Sequence, residues 1–166
     1  DKVGVSLDSL GMTGPTFVPR EVQTGLDDLF FKYGVRFEPG LIRDLQSSQF
    51  PLVVGQSGGQ PQMELFNWPY HVLAVSASEH PTVKSLDQVD FQFPSEIDTT
   101  IQTKTKLKKT VLFSSSVNSN EQFIPHRLSF DAVHSVADPN LFRGGPYPLA
   151  VLVEGVFPSL YENRIT

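Results

Sequence analysis

Residues 51–70, PLVVGQSGGQPQMELFNWPY, set the strongest limit on what this chain can become. A short apolar run, Pro51-Leu52-Val53-Val54, meets a glycine-rich turn over residues 55–60. A second run over residues 63–66 leads into an aromatic-proline cluster, Asn67-Trp68-Pro69-Tyr70, that holds the only tryptophan. Runs of four residues broken by glycine and proline do not sustain a helix, because proline removes an amide donor and glycine weakens a helix interior. The simplest structure is a β-hairpin, with residues 51–54 as a short buried strand and residues 63–66 pairing back across the turn. The same punctuation runs along the whole chain. Thirteen prolines and twelve glycines cut it into short elements and predict a sheet-rich domain rather than a helical bundle.

At 166 residues the chain fits one domain, large enough to bury a core without covalent staples. Hydrophobic residues make up 39%, and 13 phenylalanines point to a core of aromatic and β-branched side chains. A net charge of −5 offers no footprint for nucleic acid or for an anionic membrane surface. The charge is uneven: residues 1–100 carry 6 basic and 13 acidic side chains, and residues 101–166 carry 7 and 5. Cysteine is absent, which excludes a disulfide framework, a thiolate nucleophile and a cysteine zinc site. No apolar run reaches the roughly 18 residues of a membrane span. The chain begins at Asp1 with neither methionine nor a signal-like segment, and we expect it to be one domain, residues 1–166, excised from a larger protein.

Along the chain, Thr24 followed by Asp27 and Asp28, with Gly34 beyond Tyr33, predicts a helix over residues 24–33 that turns Leu26, Leu29, Phe30 and Tyr33 to a sheet. A strand over residues 41–45 is expected to place Asp44 at its far end. Phe91 and Phe93 alternate with polar residues, as in a half-buried strand. The lysines at 104, 106, 108 and 109 read as a solvated edge running into a strand that Ser114-Ser115-Ser116 closes. Residues 127–133 are expected to be extended, Asp138-Pro139 to open a short helix, and residues 149–153 to form a central strand.

Several features invite chemistry. Gly55-Gln56-Ser57-Gly58-Gly59 fits the G-x-S-x-G pattern of a nucleophile elbow, with His126 and His134 downstream. That elbow must hand over to a helix, and Pro61 and Pro69 bracket a segment of strand-like residues, so a glycine-rich hairpin turn explains the same letters. The histidines at 71, 80, 126 and 134 lack zinc-motif spacing, and Asp87, Asp90, Glu96 and Asp98 lack the spacing of a calcium loop. Ser114, Ser115 and Ser116 could offer hydroxyls at the carboxyl edge of a sheet, where open α/β domains place ligands, or simply cap the strand. Trp68 and Tyr70 beside a rigid proline suit either core packing or a protein- or sugar-contacting platform.

The motifs come in an order that resembles a known family. Tyr33-Gly34-Val35-Arg36, Leu41-Ile42-Arg43-Asp44-Leu45-Gln46, Pro51-Leu52-Val53-Val54-Gly55 with Gly58-Gly59-Gln60-Pro61, and Asn67-Trp68-Pro69-Tyr70 open it. His80-Pro81-Thr82-Val83, Phe93-Pro94-Ser95-Glu96-Ile97-Asp98 and Lys109-Thr110-Val111-Leu112-Phe113-Ser114-Ser115-Ser116 follow, and PLAVLVEGVFPSLY over residues 148–161 completes it. This order resembles the auxiliary component of ABC transporters linked to gliding motility, a domain type shared with an intraflagellar-transport protein of cilia.

The resemblance implies an α/β fold with a mixed, strand-rich sheet and few flanking helices, related to glutamine-amidotransferase-like (flavodoxin-like) three-layer domains. It implies a non-enzymatic binding or assembly module of a membrane-anchored protein, on the periplasmic, outer face of the inner membrane, with an ABC permease and its ATPase as partners; the residue spacings themselves point to no cofactor or metal. The nucleophile of the amidotransferase relatives is a cysteine, which this chain lacks. The motif positions Arg36, Asp44, Gln46, Gly58, Gly59, Gln60, Trp68, Pro69, Tyr70, His80, Pro81, Ser95, Asp98, Ser114 and Ser115 form the candidate contact surface, with Arg36 and Asp44 expected as an ion pair. Two other readings stand beside it: a carbohydrate-binding module that stacks sugars on Trp68 and Tyr70, and a serine hydrolase using Ser57.

Overall fold

The computed structural model describes residues 2–5, 16–136 and 138–161. Among them the elements run β1 (Val3–Gly4), β2 (Thr16–Phe17), β3 (Arg20–Glu21), α1 (Asp27–Lys32), β4 (Arg36–Phe37), β5 (Gly40–Asp44), β6 (Ser47–Ser57) and β7 (Gln60–Ser76). They continue with β8 (Val89–Gln92), β9 (Ile97–Asp98), β10 (Lys108–Ser114), β11 (Ser119–Phe123), β12 (Leu128–Ser129), α2 (Ala132–Ser135), a 3₁₀ turn (Pro139–Leu141) and β13 (Pro148–Glu154).

The principal sheet has the order β13-β10-β7-β6, with β8 also on β7. Two-stranded ladders β1–β3, β11–β5, β12–β2 and β4–β9 surround it. The strand-rich fold with few helices matches the expectation. Its pairing is more one-sided than a mixed sheet, since every ladder among the described residues is antiparallel. Parallel neighbours need a crossover of a dozen or more residues, usually a helix. With six and four residues, α1 and α2 are too short to supply one.

The hairpin forms as expected, on a larger scale. Gly58 and Gly59, at φ of 60° and 82°, make the two-residue turn whose twist suits paired strands. The ladder runs from Ser57↔Gln60 back to Gln49↔Asn67, with Val54 as an extra residue, and resumes at Ser47↔Val72. Trp68, Pro69, Tyr70 and His71 are thus set against Ser48 alone. An insertion of this kind bends the strand that carries it. It takes β7 from the hairpin into the core, where β8 pairs with it from His71 to Ala74 and β10 at Val75 and Ser76.

Two apolar clusters form the core. Val3, Leu41, Trp68, Tyr70, Phe93 and Leu128 make one, and Ile42, Val72, Ala74, Val83, Phe113 and Leu149 the other. Leu41 and Ile42 are successive on β5 and point to opposite faces, one into each cluster.

Four local expectations change. Residues 51–54 are extended but not buried: Val53 is 59% and Val54 48% exposed, because the hairpin projects beyond the body. α1 begins at Asp27, since Gly25 takes a left-handed backbone (φ 69°) and leaves the Thr24 hydroxyl 3.4 Å from the Leu26 amide; Leu26 stays exposed. Of residues 127–133, Leu128 and Ser129 are extended and the chain then turns into α2. β13 is the terminal strand of the sheet order, pairs with β10 and is only half-buried.

One lysine of the basic run is structural. Lys109 Nζ donates to the carbonyls of Gly34 (2.9 Å), Thr99 (2.5 Å) and Ile101 (2.7 Å), tying the end of α1 and the segment after β9 to β10. Lys109→Met keeps the apolar stem and strands three carbonyls. It is expected to cost about 2 kcal/mol in urea denaturation, whereas Lys108→Met, which removes only an exposed pair with Glu154, should cost under about 0.5 kcal/mol.

Candidate functional site

The buried polar centre of the described chain lies where β5 and β10 end and β11 begins. Asp44 terminates β5 and is fully buried. Its Oδ1 accepts from the Gln46 amide (2.8 Å) and the Ser116 hydroxyl (2.6 Å), and its Oδ2 accepts from the Ser116 amide (2.6 Å). Burial pushes the Asp44 carboxyl above its ordinary value, against the pull of these donors. Ser115 Oγ lies 2.8 Å from Ser119 Oγ and accepts from the Tyr147 amide at 2.8 Å; the Ser119 hydroxyl also reaches the Ser116 carbonyl at 2.6 Å. Gly145 presses its backbone onto this knot, and a Cβ there would run into Ser119 Oγ and the Ser116 carbonyl.

These bonds close on themselves. A serine nucleophile needs a base within hydrogen-bond reach, and among the described residues no histidine ring bonds a serine. His126 Nδ1 lies 3.1 Å from the Phe123 carbonyl, His80 Nδ1 lies 2.8 Å from Thr82 Oγ1, and His71 packs edge-on to Phe50 and Phe93. Burial holds both His71 and His126 below the usual histidine range, so each favours its neutral form. No group of three or more His, Asp and Glu side chains among the described residues is placed to hold a metal ion.

The structure scatters the other sequence candidates. Arg36 pairs with Glu38 (2.6 Å) and Asp98 (3.4 Å), not with Asp44; β4 is laid on β9, so the nearest acids are those of its own strand pair. Gln46 helps to hold Asp44 and its carbonyl accepts from the Leu73 amide (3.0 Å). Gly58, Gly59 and Gln60 lie exposed at the hairpin tip, with Ser57 beside them on the strand. A strand follows the glycines where an elbow needs a helix, so the hydrolase reading of Ser57 loses its context.

Trp68 and Tyr70 are 0% and 2% exposed, with ring centroids 5.6 Å apart. A sugar-stacking platform needs an open ring face, so the carbohydrate reading is corrected: these rings pack the core. The Tyr70 hydroxyl donates to Gln122 Oε1 at 2.6 Å. Pro69 and Ser95 are buried, His80 is half-buried in a loop, and Pro81 is exposed beside it. Ser114 ends β10 between Val75 and Pro148, and Ser115 belongs to the knot. Open clefts of about 430 and 570 Å³ lie beside α1, lined by Phe30 and Arg36 in the first and Phe31 and Thr103 in the second; Arg36 is the one candidate they take in, and neither reaches Trp68, Tyr70 or the serine knot.

Ser116, read from the sequence as one of three hydroxyls at the strand end, is the one that meets Asp44. Sequence reasoning missed Ser119 and Glu121, and the Ser-Ser-Ser-x-x-Ser spacing was the available signal for the first. Glu121 had none, because its environment is tertiary. It lies over Gly40 with Oε1 buried and without a partner, and burial first, then the like charges of Glu96 and Glu38, push its carboxyl up to about 7.

Two outcomes follow from this geometry. Asp44→Asn keeps the shape but turns an NH2 toward a donor, and should lower stability by about 2–3 kcal/mol in urea denaturation. The Glu121 carboxyl, ordinarily near 4.5, holds its proton more tightly when folded. Its contribution to stability is therefore full below about pH 4.5 and lost as pH rises through about 7. Glu121→Gln should flatten the melting temperature across that window and raise it at alkaline pH.

Comparison with known proteins adds one finding. A family model described as an ABC-type uncharacterized transport system, for the auxiliary component, matches residues 1–166. No curated protein and no solved structure matches the chain. The family match runs the full length of the chain and takes in both core clusters and the serine knot, so the chain belongs to the family of auxiliary components of ABC-type transport systems.

Proposed function

We propose that this chain acts as a non-enzymatic auxiliary component of an ABC-type transport system linked to gliding motility. In this reading it sits on the outer face of the inner membrane as part of a membrane-anchored parent, and works through contacts with the permease and its ATPase. The family match over residues 1–166 carries the reading. The geometry supports a binding role over a catalytic one. The conspicuous polar groups, Asp44 with the three serines and Lys109 with its carbonyls, are spent inside the fold, and among the described residues no histidine ring bonds Ser57 on its hairpin. The kinship with a ciliary transport protein and with amidotransferase-like domains belongs to the same proposal, and the lack of cysteine removes the nucleophile that such relatives use.

The test is detergent extraction of the tagged full-length parent from its own cells, followed by mass spectrometry. Co-recovery of a permease and an ATPase of the ABC class is expected, and it should survive a salt wash. Recovery of neither subunit would end the reading.

A further inference from the structure

The distal half of the β6–β7 hairpin stands clear of the body. Over residues 51–65 each strand pairs only with the other, because β8 and β10 join β7 from His71 onward. Side chains directly opposite each other in a ladder share a face. Pro51 with Leu65 and Val53 with Met63 therefore form one face, and Phe50 with Phe66 and Leu52 with Glu64 the other. The second face leans on the core at its base, where Phe50 stacks on Phe130 at 5.9 Å. The first is apolar and open from Pro51 to Val53, with Gln56 opposite Pro61 next along the same face toward the tip: Val53, Met63 and Leu65 are 59%, 64% and 58% exposed.

Charge narrows what covers it. In a chain with 13 basic and 18 acidic residues, Glu64 is the one charged side chain between Asp44 and Glu79, and it lies on the opposite face. A charged protein surface finds no counter-charge here. A lipid surface is disfavoured as well: the tip, Gln56-Ser57-Gly58-Gly59-Gln60, is polar, and the ribbon has no lysine or arginine for anionic headgroups. Addition of a strand at the edge is hindered, because Pro51 and Pro61 lack an amide and proline inside a ladder turns that gap to the outer edge. What remains is an uncharged apolar face, and it is complementary to itself even though each whole chain carries −5.

We propose that the face of Pro51, Val53, Met63 and Leu65 docks a second copy of this chain, ribbon against ribbon across a two-fold axis. Four side chains offer on the order of 400 Å² per copy, about half of the area in a standard interface. The pairing is therefore weak in free solution and takes effect where copies are held close together. It goes beyond the transport reading, and neither depends on the other: pairing without co-recovered subunits, or the reverse, separates the two.

The experiment is sedimentation equilibrium of the full chain from dilute to roughly millimolar concentration, a range that brackets weak association. The mass of the wild-type chain should rise from 18.4 kDa toward twice that value. Val53→Lys and Val53→Glu, at an exposed position, should keep the wild-type melting temperature and each weaken association at least about tenfold, since like charges then meet. An equimolar mixture of the two variants should associate again. The proposal is overturned if the wild-type chain stays at 18.4 kDa throughout, if either variant associates as the wild type does, or if the mixture fails to re-associate. Flotation of the wild-type chain with phosphatidylcholine vesicles, lost in Val53→Lys, would overturn it in favour of a lipid surface.

Discussion

The fold depends on a single buried carboxylate. Asp44 sits at the end of β5 and holds two parts of the chain more than seventy residues apart, because Ser116 meets it with both amide and hydroxyl. An ion of this kind is costly to remove from water, and the site is tolerable only because each oxygen is met by donors fixed in other elements. The bond from Gln46 sets the path out of β5, and those from Ser116 set the path out of β10. β11 starts at Ser119, which is joined to the same knot. Without it β5, β10 and β11 would have no common end.

The second constraint is the insertion in β7. A regular seventeen-residue strand would have to remain either in the hairpin or in the sheet. By setting Trp68, Pro69, Tyr70 and His71 against Ser48, the chain bends and does both. The bend explains why this is the most heavily buried run of β7: its side chains are surrounded from more than one direction. Trp68 and Tyr70 fill the cluster containing Leu41 and Phe93, and two residues later Val72 and Ala74 serve the other. The aromatic-proline motif is the corner of the fold.

Local sequence reveals some parts of this molecule and hides others. The hairpin was legible because Gly58-Gly59 is a local backbone instruction, and β5 and the end of β10 were legible from alternation and the closing serines. Burial was less so. Residues 51–54 are apolar and were expected inside, but whether an apolar strand is covered depends on which elements reach it, and that is set by the bend at residues 68–71. Likewise, Arg36 and Asp44 carry opposite charges, yet strand pairing gave Arg36 to Asp98 and Asp44 to Ser116. The aromatic pair was legible as important and illegible as to why, since core packing and an open platform draw on the same residue types. Glu121 lay beyond local reading, because Glu38 and Glu96 act on it through space.

The tip of the hairpin has a consequence for how such a chain can change. A side chain placed on Gly55 would meet nothing within 4 Å, and Gly58 and Gly59 face open space too, although their left-handed backbones favour glycine; the turn is remote from both clusters and from the serine knot. Lengthening the loop there costs mainly closure entropy, about 0.6 kcal/mol for each doubling. How far the arm extends from the body and how firmly the body holds together are thus written in separate parts of the sequence, and selection can adjust one without disturbing the other.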